Sequence, residues 1–282
     1  MEETVSKEVS KREARGWPAG KSLALFVNVM LEGWPEDSAP HNSASSAVKP
    51  GYIDTRGQSW AEYGPRSGAP RLLKVLAAHG ITATFFTNGV IAERYPELVA
   101  RIAAAGHSVQ CHGYYQNLPP LYLEEPQERE TIARTREMLS RTSGSMPDGW
   151  LSPRVTPSRH TPGLLAKAGF RWYADVCDAD LPYRQDTPNG PIIAMPFDND
   201  VNDQRIHLAI GAPAHAFTDT FKRALETWYS KHDEPACLNI TAHTHVFGRP
   251  YGAGEFENVL EIAQSTPYAF ITTQDALSKH YV

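Results

Sequence analysis

The sequence predicts an α/β fold in one domain, a parallel sheet with helices packed outside it. Three observations carry this. Short runs rich in β-branched and aromatic residues alternate with segments of helical periodicity; about seven such strand–helix units follow one another; and neither an internal repeat nor a linker interrupts them. Alternation of this kind makes consecutive strands parallel, because each must be reached by a crossover helix. A length of 282 residues permits two small domains or one barrel-sized domain. The unbroken rhythm favours one domain over residues 21–282, preceded by a polar tail over 1–20 that holds Lys11, Arg12 and Arg15.

The elements follow in order. Ser22–Val29 reads as a buried strand, and Leu31–Ser67 as a long loop rich in Gly, Pro and Ser. A loop of that length inside a compact domain is usually functional. Arg71–Leu76 is a helical stripe stopped at Gly80, and Ile81–Phe86 a strand. Pro96 opens a helix with Leu98, Val99 and Ile102 on one face, ended by Gly106. Ser108–Cys111 is a strand running into His112; Glu124–Arg141 is a long charged helix turning Ile132, Met138 and Leu139 inward. Gly149–Leu151, Arg171–Ala174 and Ile192–Met195 read as strands, Gly163–Ala168 and about Phe217–Lys231 as helices. The apolar run Cys237–Thr241 is a strand that delivers His243 and His245 at its end, one of which is expected to face a site. A helix over Glu257–Gln264, a strand over Ala269–Ile271 and a short helix close the chain.

Composition narrows the function. With 41% hydrophobic and 21% charged residues the chain is of ordinary globular make-up. A formal charge of −5 argues against nucleic-acid binding, which needs a basic face. No stretch approaches about 18 apolar residues, so no membrane helix is expected, and the first residues lack the apolar centre of a secretory signal. Cys111, Cys177 and Cys237 have no metal-type spacing and read as free thiols in a reducing cytoplasm.

The polar residues at strand ends are Asn28 and Glu32, Asn88, then His112, Tyr114 and Gln116, Arg154, Asp175, Asp178, Asp180 and His243. Each has a plain structural explanation singly. Together they fall at the carboxyl ends of strands, where alternating folds build their sites.

These residues also carry a resemblance. Gly106-His107-Ser108-Val109-Gln110-Cys111-His112 resembles the Gly-His-x-x-x-x-His motif of the polysaccharide deacetylase (NodB-homology) superfamily, and Tyr63–Arg66, Thr84–Phe86 and Pro96–Val99 match its usual companions. Asn28-Val29-Met30-Leu31-Glu32-Gly33 replaces the usual Thr-Phe-Asp-Asp, and Gly149–Arg154 the usual Arg-x-Pro. With Asp178–Tyr183 and His243–Pro250 they are similar to a branch of bacterial allantoinases and cyclic imide hydrolases. The resemblance runs from about Leu25 to the C-terminus. It implies a single-domain distorted seven-stranded (β/α) barrel and an assembly of dimers or tetramers.

In the deacetylases the resemblance points to, one Asp and two His spaced His-x-x-x-His hold the metal. Here these positions are Glu32, His112 and Gln116. An amide is a poor zinc ligand, so no metal and no other cofactor is expected; the alternative is zinc or another divalent ion on Glu32 and His112. Without metal, amide hydrolysis needs a base, an acid and an oxyanion partner. Glu32 is the base candidate, its pKa expected to rise by desolvation. His243 is the acid, His112 orients the water or shares the acid role, and Arg154 receives a carbonyl or oxyanion. Asn28, Trp34, Trp60, Asn88, Tyr114, Asp178, Asp180 and Arg249 are candidates for substrate binding. The reading is a carbon–nitrogen hydrolase opening a small cyclic amide, imide or ureide, with no nucleic-acid or membrane partner. The alternatives are a metal-dependent N-deacetylase of an acetylated sugar and a catalytically degenerate binding protein.

Overall fold

The computed structural model describes residues 17–40, 48–49, 51–232 and 234–281. Most of the expected tail therefore lies outside the described residues. Its end does not: Trp17 is buried edge-on against Phe270.

The strands expected from sequence are all present, within a few residues: β1 (Leu23–Leu31), β2 (Thr84–Thr87), β3 (Ser108–Cys111), β4 (Gly149–Trp150), β5 (Trp172–Val176), β7 (Ile192–Pro196), β9 (Ala236–His243) and β10 (Ala269–Thr272). Two short strands, β6 (Tyr183–Gln185) and β8 (Val201–Asn202), went unread because two or three residues carry no periodicity. The sheet order is β6-β7-β5-β4-β3-β2-β1-β9-β8, with β10 beside the first half of β1 and β2 beside its second half. All pairs are parallel except β6 with β7. The two end strands do not meet, so the expected distorted (β/α) barrel is an incomplete one in a single α/β domain, its sheet holding ten strands with the short β6 and β8 included.

The helices are α1 (Thr55–Tyr63), α2 (Ala69–Ala78), α3 (Gly89–Arg94), α4 (Pro96–Ala104), α5 (Glu125–Ser143), α6 (Thr161–Lys167), α7 (His215–Ala224), α8 (Pro250–Ser265) and α9 (Gln274–Ser278). The Leu31–Ser67 segment is not one loop. Its second half forms α1, whose first turn is capped by the Asp54 carboxylate accepting from the Gly57 N–H.

Parity along the strands decides what reaches the interior. On β1, Leu23, Leu25, Val27, Val29 and Leu31 pack in the outer core with the helices, whereas Ala24, Phe26 and Met30 join an inner cluster with Phe86, Trp172 and Phe197. Alternate residues of a strand point to opposite faces. Asn28 and Glu32 therefore share the inner face, as do Gln110 and His112 on β3 and Asn239, Thr241 and His243 on β9. Both sheet faces are buried, as a parallel sheet requires.

Candidate active site

Glu32, His112, Arg154 and His243 all line one cleft of about 680 Å³ at the carboxyl ends of the strands. Its floor is the Glu32 carboxylate, 2% exposed, with three imidazoles around it: His243 Nε2 at 3.5 Å, His112 Nε2 at 3.6 Å and His245 Nε2 at 3.8 Å. Both histidines of the His-x-His pair thus reach the site. The expectation of one fails because β9 ends at His243, and the turn that follows, not the alternation of a strand, brings His245 back to Glu32.

The hydrogen bonds assign the protons. His112 Nδ1 lies 2.9 Å from the Leu151 carbonyl, which only accepts, so Nδ1 carries the hydrogen and Nε2 turns a lone pair toward Glu32. His243 Nδ1 donates to Asp203 Oδ1 at 2.6 Å. Burial pushes the His243 pKa down, but the Asp203 and Glu32 carboxylates outweigh it and carry it up to about 10. The ring is therefore an imidazolium at neutral pH. His245, buried against the edges of Trp34 and Trp60, has neither nitrogen hydrogen-bonded, and burial lowers its pKa to about 4.

Glu32 departs from expectation. Burial does raise its pKa, but the charge of His243 and the imidazoles packed around the carboxylate outweigh that, holding the carboxyl well below the usual range. It is an ionised carboxylate and a weak base. Gln116 Nε2 donates to its Oε1 at 2.7 Å.

That amide bears on metal. The family pattern would place a second imidazole where Gln116 stands. Instead Gln116 turns its N–H toward Glu32, leaving Glu32 and His112 as the strong donors of that set. No group of three His, Cys, Asp or Glu is placed to hold an ion among the described residues. These residues do not fit the three-ligand zinc of the deacetylase pattern.

Arg154 sits in a constrained turn. It and Val155 have φ of 58° and 50°, left-handed backbone that is uncommon for non-glycine residues and an outlier for a β-branched one. Asp175 holds the turn: its Oδ1 accepts from the Ser152 N–H at 2.7 Å and its Oδ2 from the Ser152 hydroxyl at 2.6 Å. Burial, the dominant influence, raises the Asp175 pKa to about 7.

The residues expected to bind substrate scatter. Trp34 lines the cleft; Trp60 packs on His245 and does not. Asn28 is fully buried beneath the site, donating to Asn239 and accepting from Gln274. Asn88 is a strut: Oδ1 accepts from the Gly33 N–H, and Nδ2 donates to the His112 and Gly113 carbonyls. Tyr114 is buried under the Arg134 guanidinium. Asp178 accepts from the Tyr183 hydroxyl on the surface. Asp180 lies at the far end of the sheet, its carbonyl accepting from Cys237 N–H at the start of β9. Arg249 lies over the Tyr63 ring and donates to the His245 carbonyl. Sequence reading missed Asp203 and, on the cleft wall, Asn199, Asn202 and Arg205. The signal available was the run Asp198-Asn199-Asp200-Val201-Asn202-Asp203 directly after a strand.

Fold and site together define an incomplete (β/α) barrel with a buried carboxylate–imidazole centre at its carboxyl edge. Residues 61–173 match the family model of the polysaccharide deacetylases. The solved structure of Puue allantoinase superposes with a TM-score of 0.86 at 28% identity, covering 94% of this chain and 91% of that one. A probable polysaccharide deacetylase from Pseudomonas aeruginosa PAO1 gives 0.85 at 28% identity, over 94% and 92%. A peptidoglycan deacetylase of Helicobacter pylori is 33% identical over 118 residues, 41% of this chain and 40% of that protein. Residues 61–173 thus carry a polysaccharide deacetylase domain, and the chain as a whole shares the fold of these NodB-homology structures. The matched segment spans well under half the length of the H. pylori relative.

Proposed function

We propose that the protein hydrolyses a carbon–nitrogen bond in a small cyclic amide, imide or ureide, without a metal, as a homo-oligomeric cytoplasmic enzyme. The observation that carries this is the Gln116–Glu32 hydrogen bond, which takes the place of a third metal ligand. What remains is acid–base chemistry. A water oriented by the lone pair of His112 Nε2 gives its proton to the Glu32 carboxylate as its oxygen attacks the carbonyl carbon. The His243 imidazolium, held by Asp203, protonates the leaving nitrogen, and Arg154 receives the developing oxyanion. A cyclic imide suits so modest a set of groups, because its leaving nitrogen is delocalised and stays tethered. The likeness to Puue allantoinase supports the same class.

A second reading, a metal-dependent N-deacetylase, is favoured by relatives such as the H. pylori peptidoglycan deacetylase and by the unpartnered Glu32 Oε2 and His112 Nε2. One experiment separates them: incubation with succinimide, hydantoin, allantoin, dihydrouracil and N-acetylglucosamine oligomers, with and without chelator. Ring opening that survives chelation is expected. Release of acetate from the oligomers, abolished by chelator, would replace this proposal with the second reading.

A further inference from the structure

We propose that the cleft recognises a carboxylate on its ligand through the guanidinium of Arg205. The inference deepens the reading above, since it adds an acidic group to the small molecule that the cleft takes.

The charges on the cleft wall are unequal. Among its lining residues the acids are Glu32 and Asp175, the cations Arg154 and Arg205, beside the His243 imidazolium. Both oxygens of Asp175 accept from Ser152, and Glu32 lies buried beneath its imidazoles with Oε1 accepting from Gln116. The remaining polar wall, Asn117, Asn199, Asn202 and Gln204, is neutral. A chain of formal charge −5 thus places two arginines on the wall of this cleft.

Arg205 is the sharper of the two cations. Its side chain makes no hydrogen bond or ion pair among the described residues, while its backbone is fixed. Its N–H donates to Asn202 Oδ1 at 3.2 Å and its carbonyl accepts from the Ile210 N–H at 3.1 Å. It stands two residues after Asp203, on the helical turn Gln204–Ala209. Asp203 is itself bonded to the His243 ring and backbone. The guanidinium is therefore indexed to the acid of the proposed reaction. Arg205 stands exposed on the cleft wall, and its planar guanidinium presents paired N–H donors that match a carboxylate.

The test uses a pair of small probes that differ in charge and cannot be turned over by ring opening, glutarate and glutaramide. Their binding to the full chain is measured by calorimetry. Wild type is expected to bind glutarate at least roughly tenfold more tightly than glutaramide, as a charge-assisted pair implies. Arg205→Gln should lose that preference and leave glutaramide binding unchanged; Arg205→Lys, which keeps the charge but not the fork, should retain part of it. Equal binding of the two probes by wild type, failure of glutarate to bind, or an undiminished preference in Arg205→Gln would each overturn the proposal. Because no probe is hydrolysed, a negative ring-opening panel would remove the proposed reaction and leave the carboxylate site standing.

Discussion

The Asp203 carboxylate holds His243 in two ways at once: Oδ1 accepts from ring Nδ1 at 2.6 Å, and Oδ2 accepts from the backbone N–H of His243 at 2.7 Å. The same Oδ2 also accepts from the Phe247 N–H at 3.1 Å, which closes the turn after β9. One side chain fixes the charge of the ring, its orientation and the backbone that carries it.

Asp203→Asn should therefore change the pH profile. The amide oxygen will turn to the two backbone N–H groups and its NH₂ to Nδ1, so the ring loses the charge that kept it protonated. In wild type, turnover should hold through neutrality and fall as pH rises through about 10, where His243 loses its proton. In the variant this limb should move down by units of pH, with turnover near neutrality lower by roughly 10². Stability follows the same sign. A raised folded pKa contributes fully below the unfolded value of about 6.5 and is lost as pH rises through about 10. The stability gap between wild type and variant should be widest below pH 6.5 and close toward pH 10. An unmoved alkaline limb would assign it to another group.

Glu32→Gln should lower turnover by roughly 10² or more while changing substrate binding much less. The structure names the successor if it does not. Near-wild-type turnover in steady-state assays would transfer the base role to His112, whose Nε2 lone pair faces the same position.

Gln116→His should convert the centre into a metal site. With Glu32 and His112 it would supply the carboxylate and two imidazoles that a three-ligand zinc site uses. Metal analysis after dialysis against zinc should find close to one ion per chain in the variant and well under one in wild type. Equal zinc in both would show that Gln116 is not what decides metal binding.

Gly248→Ala should damage the site through its backbone. A Cβ there would fall 1.9 Å from the Thr244 carbonyl oxygen and 2.5 Å from the Cα of Gly68, whose own Cβ would lie 1.8 Å from the same oxygen. None of these neighbours is a flexible tip. The turn carrying His243 and His245 would have to shift, costing about 1–3 kcal/mol or more and lowering Tm by roughly 5 °C. A wild-type Tm and wild-type activity would show that the turn tolerates the displacement.

How far the site could be read from sequence depended on the kind of signal. Glu32 and His112 follow strands, and His243 ends one, whose apolar runs mark the element, and they meet in the cleft. Asn28 shares the inner face with Glu32 but lies deeper, where its amide is spent on Asn239 and Gln274. Position after a strand does not report depth. Tyr114 and Asp180 were chosen on the same criterion. Tyr114 packs against the helices, and Asp180 is carried to the opposite end by the chain leading into β6.

The sequence by itself determined the α/β alternation, the strand ends and the residue types of the centre, because periodicity and turn chemistry are local properties of the chain. Tertiary structure decided the rest. The open sheet with its antiparallel edge depends on pairings between segments far apart in sequence. The partnership of Asp203 with His243 joins residues 40 apart, and that of Gln116 with Glu32 residues 84 apart. These pairings set the charges: burial alone would have raised the pKa of Glu32 and lowered that of His243, and the packed neighbours reversed both. A carboxylate's proton affinity is a property of its surroundings, and the sequence names the carboxylate without its surroundings.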